Sequence, residues 1–147
     1  MQLKVYLAGE IHTDWRETIV ESCKGLDIAW LGPVTDHDAS DDCGVEIFGA
    51  EDKKFWHDRK GALLNAVRIR TGIEQADMLV VCFGEKYKQW NAAFDAGYAA
   101  ALHKPIIVLH PPEFDHALKE VDAAANAVAR TPEEVARALR YVITGKL

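Results

Sequence analysis

Two short apolar runs, Met78-Leu79-Val80-Val81-Cys82-Phe83 and Ile106-Ile107-Val108-Leu109-His110, bracket a helical segment from Gln89 to Leu102 that contains no Lys, Arg or Glu. This strand, helix, strand order constrains the fold more than any other feature of the chain. At 100° per residue, Asn91, Asp95, Tyr98 and Leu102 form one stripe beside Phe94 and Ala101. Ala92, Ala96, Ala100 and His103 lie opposite. With no charged face to keep wet, the helix is expected to be covered on both sides, and Asp95 to point along its packed side.

The remaining chain repeats this alternation. Leu3 to Ala8 reads as a first strand ending at Gly9, and Thr13 or Asp14 can cap a helix running to about Lys24, before Gly25. Asp27 to Leu31 reads as a second strand, closed by Gly32-Pro33. Val34 to about Asp58 is polar and rich in Asp, and reads as a long loop with a function or irregular structure of its own. Helical spacing returns between Lys60 and Gln75. After Pro111-Pro112, a helix is expected from Asp115 or His116 through Val121, then a weak strand at Asn126 to Ala129. Thr131-Pro132-Glu133-Glu134 opens a last helix as a capping box with proline at its first position. Five strands and at most five helices in alternation predict an α/β, flavodoxin-like doubly wound parallel sheet of order 2-1-3-4-5, with helices on both faces.

At 147 residues the chain is expected to form one domain, 1–147, with a sizeable core. Its formal charge of −6 and scattered Lys/Arg groups argue against a nucleic-acid polymer as partner, while a small anionic ligand held by one or two arginines stays open. Cys23, Cys43 and Cys82 are odd in number and lack CxxC spacing, which fits reduced thiols. Met1 leads straight into strand-like sequence, and no apolar run reaches about 18 residues. A cytoplasmic protein without membrane contact is expected.

In an open parallel sheet, ligands bind beyond the carboxyl ends of the strands. The first strand delivers Tyr6, Gly9, Glu10, His12 and Asp14 to that edge, the second delivers Asp36, His37 and Asp38, and Asp95 follows the third. Tyr6, Asp36 and Asp95 are therefore expected to converge at the switch point. A helix N-terminus would favour ionised Asp95, suiting it to act as a nucleophile or to stabilise positive charge; complementing the dipole is the alternative. The run Asp36 to Asp42 has oxygen ligands for a divalent ion but lacks the EF-hand pattern, and a solvated acidic loop is the preferred reading. Neither a metal nor a cofactor is expected. A Ser/His/Asp triad lacks its GxSxG elbow. Arg68 and Arg70 suit a helix C-terminus, or an anionic ligand if one turns inward.

Tyr6-Leu7-Ala8-Gly9, Gly72-Ile73-x-x-Ala76-Asp77 and Asp95-Ala96-Gly97-Tyr98-Ala99 leading to Lys104-Pro105 resemble the nucleoside 2-deoxyribosyltransferase superfamily. Tyr87-Lys88-Gln89-Trp90-Asn91-Ala92-Ala93-Phe94-Asp95-Ala96-Gly97 and His116-Ala117-Leu118-Lys119-Glu120-Val121-Asp122 resemble its YtoQ branch. The resemblance implies a carboxylate nucleophile that attacks the anomeric carbon of a nucleoside. Asp95 stands at that position, one methylene shorter than the superfamily glutamate. It also implies that Tyr6 orients the nucleophile, that Asp36-His37 corresponds to an acidic-His pair, and that Gln89, Trp90 and Asn91 belong to the substrate region. Two acids of the deoxyribose-transferring members are replaced, by Ile69 and Gln89.

A general acid would then come from Asp36, Asp38, Glu10 or His12. The leading expectation is N-glycosidic transfer or hydrolysis on a nucleoside or nucleotide. A nucleotide or sugar-nucleotide binding module without turnover is the alternative, and metal-dependent hydrolysis through the acidic loop is a third. The alanine face and the aromatic Trp56, Trp90 and Phe114 suggest a homo-oligomer, which the resemblance also implies, with sites completed by a neighbouring chain.

Overall fold

A computed structural model describes residues 2–147. Five strands, β1 (Leu3–Gly9), β2 (Ile28–Leu31), β3 (Met78–Cys82), β4 (Ile106–Leu109) and β5 (Ala127–Ala129), form one parallel sheet in the order β2-β1-β3-β4-β5. This is the expected doubly wound architecture. Strand alternation splits the core in two. Val5, Leu7, Val80 and Ile107 face α1 (Trp15–Ser22) and α6 (Pro132–Thr144) through Trp15, Ile19, Val135 and Leu139. Tyr6, Ala8, Leu79, Val81 and Val108 face the opposite way, toward α3 (Lys54–Gln75) and α4 (Trp90–Ala101). Tyr6 and Asp95 therefore belong to the same side of the sheet.

The stretch read as a loop is mostly helix. α2 (His37–Phe48) starts at Asp36, whose carboxylate accepts the Ala39 N–H at 2.8 Å. α3 begins at Lys54, a turn and a half before the sequence suggested. Neither segment has a strong apolar stripe. Their helicity comes from each other, because Gly44 and Gly61 let the backbones touch: a Cβ on Gly44 would lie 2.4 Å from Lys60 Cβ, and one on Gly61 would lie 2.7 Å from the Asp41 carbonyl oxygen. The described residues thus hold six α-helices rather than five.

α4 is rotated relative to the sequence reading. Ala92, Ala96 and Ala99 are buried against the sheet, and Phe94 is 64% exposed. Methyl side chains let the helix axis come close to the strands, so the small residues face inward and the aromatic one outward. Asp95 lies half-buried at the border of the packed face.

Smaller differences concern helix ends. Asp14 precedes α1 without a side-chain cap bond. Pro112–Phe114 is a 3-10 turn, and α5 (Lys119–Ala123) starts later than Asp115 or His116. Thr131 Oγ1 accepts the Glu134 N–H at 3.2 Å as a capping box requires, but the Glu134 carboxylate returns to the N–H of Arg130, one residue before the cap. No helix among the described residues is long and apolar enough to cross a membrane.

Candidate active site

A cleft opens at the carboxyl edge of β1 and β3, between α2, α3 and α4. It has two lobes that share Pro33, Val34, Ser40, Ile69, Asn91 and Asp95. One, of about 450 Å³, runs along α3 and α4 past Asn65, Arg70, Phe94 and Tyr98. The other, of about 460 Å³, runs toward the β1–α1 turn and the loop before α4, past Gly9, His12, His37, Tyr87 and Trp90. Asp95 stands where the lobes meet.

Burial pushes the Asp95 carboxyl up to about 7, so the group is poised between its two protonation states near neutrality. The helix N-terminus does not hold it ionised, in contrast to the sequence reading: Asp95 sits in the second turn of α4, where the dipole has faded and desolvation wins. Tyr6 is 1% exposed, and its hydroxyl has no hydrogen-bond partner among the described residues. Burial raises its pKa and the Asp95 charge adds to the rise. An unpaired buried hydroxyl costs about 1–3 kcal/mol, so its retention here calls for a functional account. Gly72 of α3 makes room for the ring, since a Cβ there would lie 2.6 Å from Tyr6 Cε2.

Other expected site residues have local duties. Gly9 has φ +105°, and a Cβ on it would lie 2.1 Å from the Cys82 carbonyl oxygen, so the close approach it permits is to β3. Glu10 lines the second lobe and is 2% exposed, but its carboxylate is engaged by the N–H of His12, the N–H of Thr13 at 3.1 Å and the Thr13 hydroxyl at 2.5 Å. It shapes the turn. Gln89 lines the cleft while bracing the loop before α4, accepting from the Gly84 N–H at 3.1 Å and donating to the Lys86 carbonyl at 2.7 Å. Asp36 is spent on the α2 cap, and neither Asp36 nor Asp38 lines either lobe. Of the three residues expected to converge, only Asp95 lines the cleft; Tyr6 borders the neighbouring groove with Arg68, close enough for the Asp95 charge to act on it. His12, His37, Trp90 and Asn91 do line the second lobe. Arg70 lines the first, whereas Arg68 borders a separate groove beside Tyr6.

Three features escaped the sequence reading. Arg16 folds back beneath β1 and donates to the carbonyl oxygens of Leu7, Gly9 and Glu10, closing the strand end that forms the cleft floor. Tyr87 adopts φ +67°, a conformation costing a non-glycine residue about 1–3 kcal/mol, and its ring packs on His12 at 4.9 Å between centroids. Its place next to Lys88, one residue before Gln89, was visible but its backbone was not. His110 at the end of β4 is 1% exposed, with Nε2 3.0 Å from both Asp122 carboxylate oxygens. Asp115 joins that group but is held by Arg130 Nη1 at 2.6 Å, so the cluster carries its own cation. The acidic run in α2 is likewise partnered by histidines, Asp41 with His37 and Asp42 with His57.

The sheet order and a cleft at the switch point define a flavodoxin-like doubly wound fold, and solved nucleoside-processing proteins share it. Solved structures agree: a 2-deoxyribosyltransferase from Bacillus psychrosaccharolyticus superposes with TM-score 0.56 at 16% identity, covering 90% of both chains. A CMP N-glycosidase, BcmB, from Clostridium botulinum gives 0.52 at 15% identity, covering 95% of this chain and 98% of its own. At the sequence level, the family described as nucleoside 2-deoxyribosyltransferase YtoQ matches residues 6–143, and the chain belongs to that family. It is 43% identical over 144 residues to an uncharacterized YtoQ protein of Bacillus subtilis strain 168, covering 97% of each.

Proposed function

We propose that this protein cleaves or transfers the N-glycosidic bond of a nucleoside or nucleotide, with Asp95 as the nucleophile. The observation that carries the reading is the carboxyl of Asp95, desolvated to a pKa of about 7 at the junction of two lobes. The ionised carboxylate attacks the anomeric carbon, the base departs, and the resulting glycosyl ester passes to water or to a second base. Tyr6 is the proposed positioning residue, acting on Asp95 from the neighbouring groove, where the Asp95 charge is felt at its hydroxyl. The 2-deoxyribosyltransferase and the CMP N-glycosidase of related fold support a nucleoside or nucleotide as substrate. Incubation with 2-fluoro-sugar nucleosides and their 5′-monophosphates should add one fluoroglycosyl unit to the intact mass and release free base. Absence of both across the panel would overturn the reading.

A binding module without turnover is the second reading, and Ile69 and the loop-bound Gln89 at two otherwise acidic positions favour it. A protein of this kind would retain ligand while forming no adduct. We further infer a homo-oligomer in the cytoplasm. Phe55, Trp56, Leu63 and Val67 on α3 and Trp90 and Phe94 on α4 are each at least 48% exposed, more apolar surface than a monomer keeps in water. Size-exclusion chromatography with light scattering should give a dimer or larger at micromolar concentration, and a monomer would count against it.

A further inference from the structure

Of Glu10, Asp36, Asp38 and His12, the four side chains expected to supply a general acid, the structure leaves one in the cleft and unengaged. Glu10 has both carboxylate oxygens committed to the turn that follows it. Asp36 caps α2, and Asp38 lines neither lobe. His12 lines the same lobe as Asp95, its ring is exposed to that space, and its nitrogens take no hydrogen-bond partner among the described residues. His37 also lines the lobe, with its ring centroid 6.2 Å from that of His12, but its Nε2 is 3.3 Å from Asp41.

The immediate surroundings of His12 are aromatic. Tyr87, in its left-handed conformation, holds its ring against the imidazole, and Trp90 lies exposed along the same wall. A planar heterocycle entering this lobe finds aromatic faces to stack on and one uncommitted imidazole in reach. The other lobe offers no histidine.

We propose that the second lobe receives the nucleobase and that His12 is the general acid that protonates it, a role that rests on the glycosidic reading of Asp95. In the first step an Asp95 carboxylate oxygen bonds to C1′ as the C1′–N bond breaks. The bonding pair passes to the base, and a proton from the His12 imidazolium neutralises a ring nitrogen. In the second step water, or an acceptor base, attacks C1′ and yields its proton to the now neutral His12. The ester breaks, and the Asp95 carboxylate and the imidazolium are regenerated.

Leaving-group dependence tests this directly. An N7-methylated guanine carries a positive charge and departs as a neutral molecule without needing a proton. Base release in the first turnover, with protein in excess so that only glycosyl transfer to Asp95 is read, should be measured for guanosine, deoxyguanosine and their 5′-monophosphates beside their N7-methylated counterparts. With His12→Ala and His12→Gln, release from the unmethylated substrates should fall by about 100-fold or more, while the methylated ones stay near the wild-type rate. Their retained cleavage also reports an intact fold. His116→Ala, at an exposed histidine that lines neither lobe, should leave both series unchanged. Equal loss on both series, or no loss on either, would overturn the role of His12 while leaving Asp95 chemistry in place. A wild-type protein that cleaves neither series would overturn the glycosidic reading and this inference with it.

Discussion

Asp95→Asn is expected to lower base release by at least about 1,000-fold while leaving the protein folded and more stable at alkaline pH. An amide occupies the same space but cannot form the glycosyl ester. Two pH profiles follow from the carboxyl's position at about 7. First-turnover release from the N7-methylated substrates, whose base needs no proton, should rise as pH increases through 7, because attack requires the ionised form. Stability should move the other way. The folded pKa lies above the unfolded value of 3.8, so the native state holds its proton more tightly. The stabilising contribution is complete below about pH 4 and is lost as pH rises to and beyond 7. With discount for the partial exposure of the group, the loss is about 1–3 kcal/mol. Urea unfolding at pH 5 and pH 8 should therefore show Asp95→Asn gaining on wild type at the higher pH. Unchanged base release in the variant would remove Asp95 from the chemistry, and a pH-independent stability difference would contradict its burial as the cause of the shift.

Gly9→Ala should be the most damaging conservative substitution at the cleft, costing about 4 kcal/mol or more. Two penalties add. The residue sits at φ +105°, which L side chains rarely adopt, and the new methyl would lie 2.1 Å from the Cys82 carbonyl oxygen. That oxygen also accepts the Glu10 N–H at 3.0 Å, so displacing it breaks the turn that Glu10 and Arg16 secure. Neither strand can yield, because Gly9 and Cys82 are register partners at the centre of the sheet. Denaturant unfolding provides the measure. A loss below about 1 kcal/mol would mean that the strand ends tolerate separation and that Gly9 serves something other than packing. Gly25 is a useful contrast: φ is also positive there, but a Cβ would meet nothing within 4 Å.

The place of the cleft was legible before the structure because strand ends mark it. Strand order put Asp95, after β3, at the edge where the cleft opens, and strand alternation put Tyr6 on the same side of the sheet. The acidic residues misled because side-chain chemistry in a sequence does not reveal prior commitment. Glu10 and Asp36 bond to backbone N–H groups two or three residues away, contacts set by local dihedral angles. Composition also hid α2, whose helicity depends on the contact of Gly44 with Lys60 and Gly61 of the next helix.

The sequence by itself determined the alternation of strands and helices, the parallel sheet and its order, and the edge at which a ligand would sit. Those follow from local hydrophobic runs, turn residues and the handedness of parallel connections, all of which act over short stretches of chain. Only the tertiary structure decided which face α4 buries, that the polar segment after β2 is helical, and that His12 alone among the candidate acids both lines the cleft and keeps its side chain unengaged. It also decided the protonation of Asp95. A carboxyl's affinity for its proton depends on how much water its surroundings exclude, and that is fixed by packing between α2, α3 and α4, elements distant in sequence.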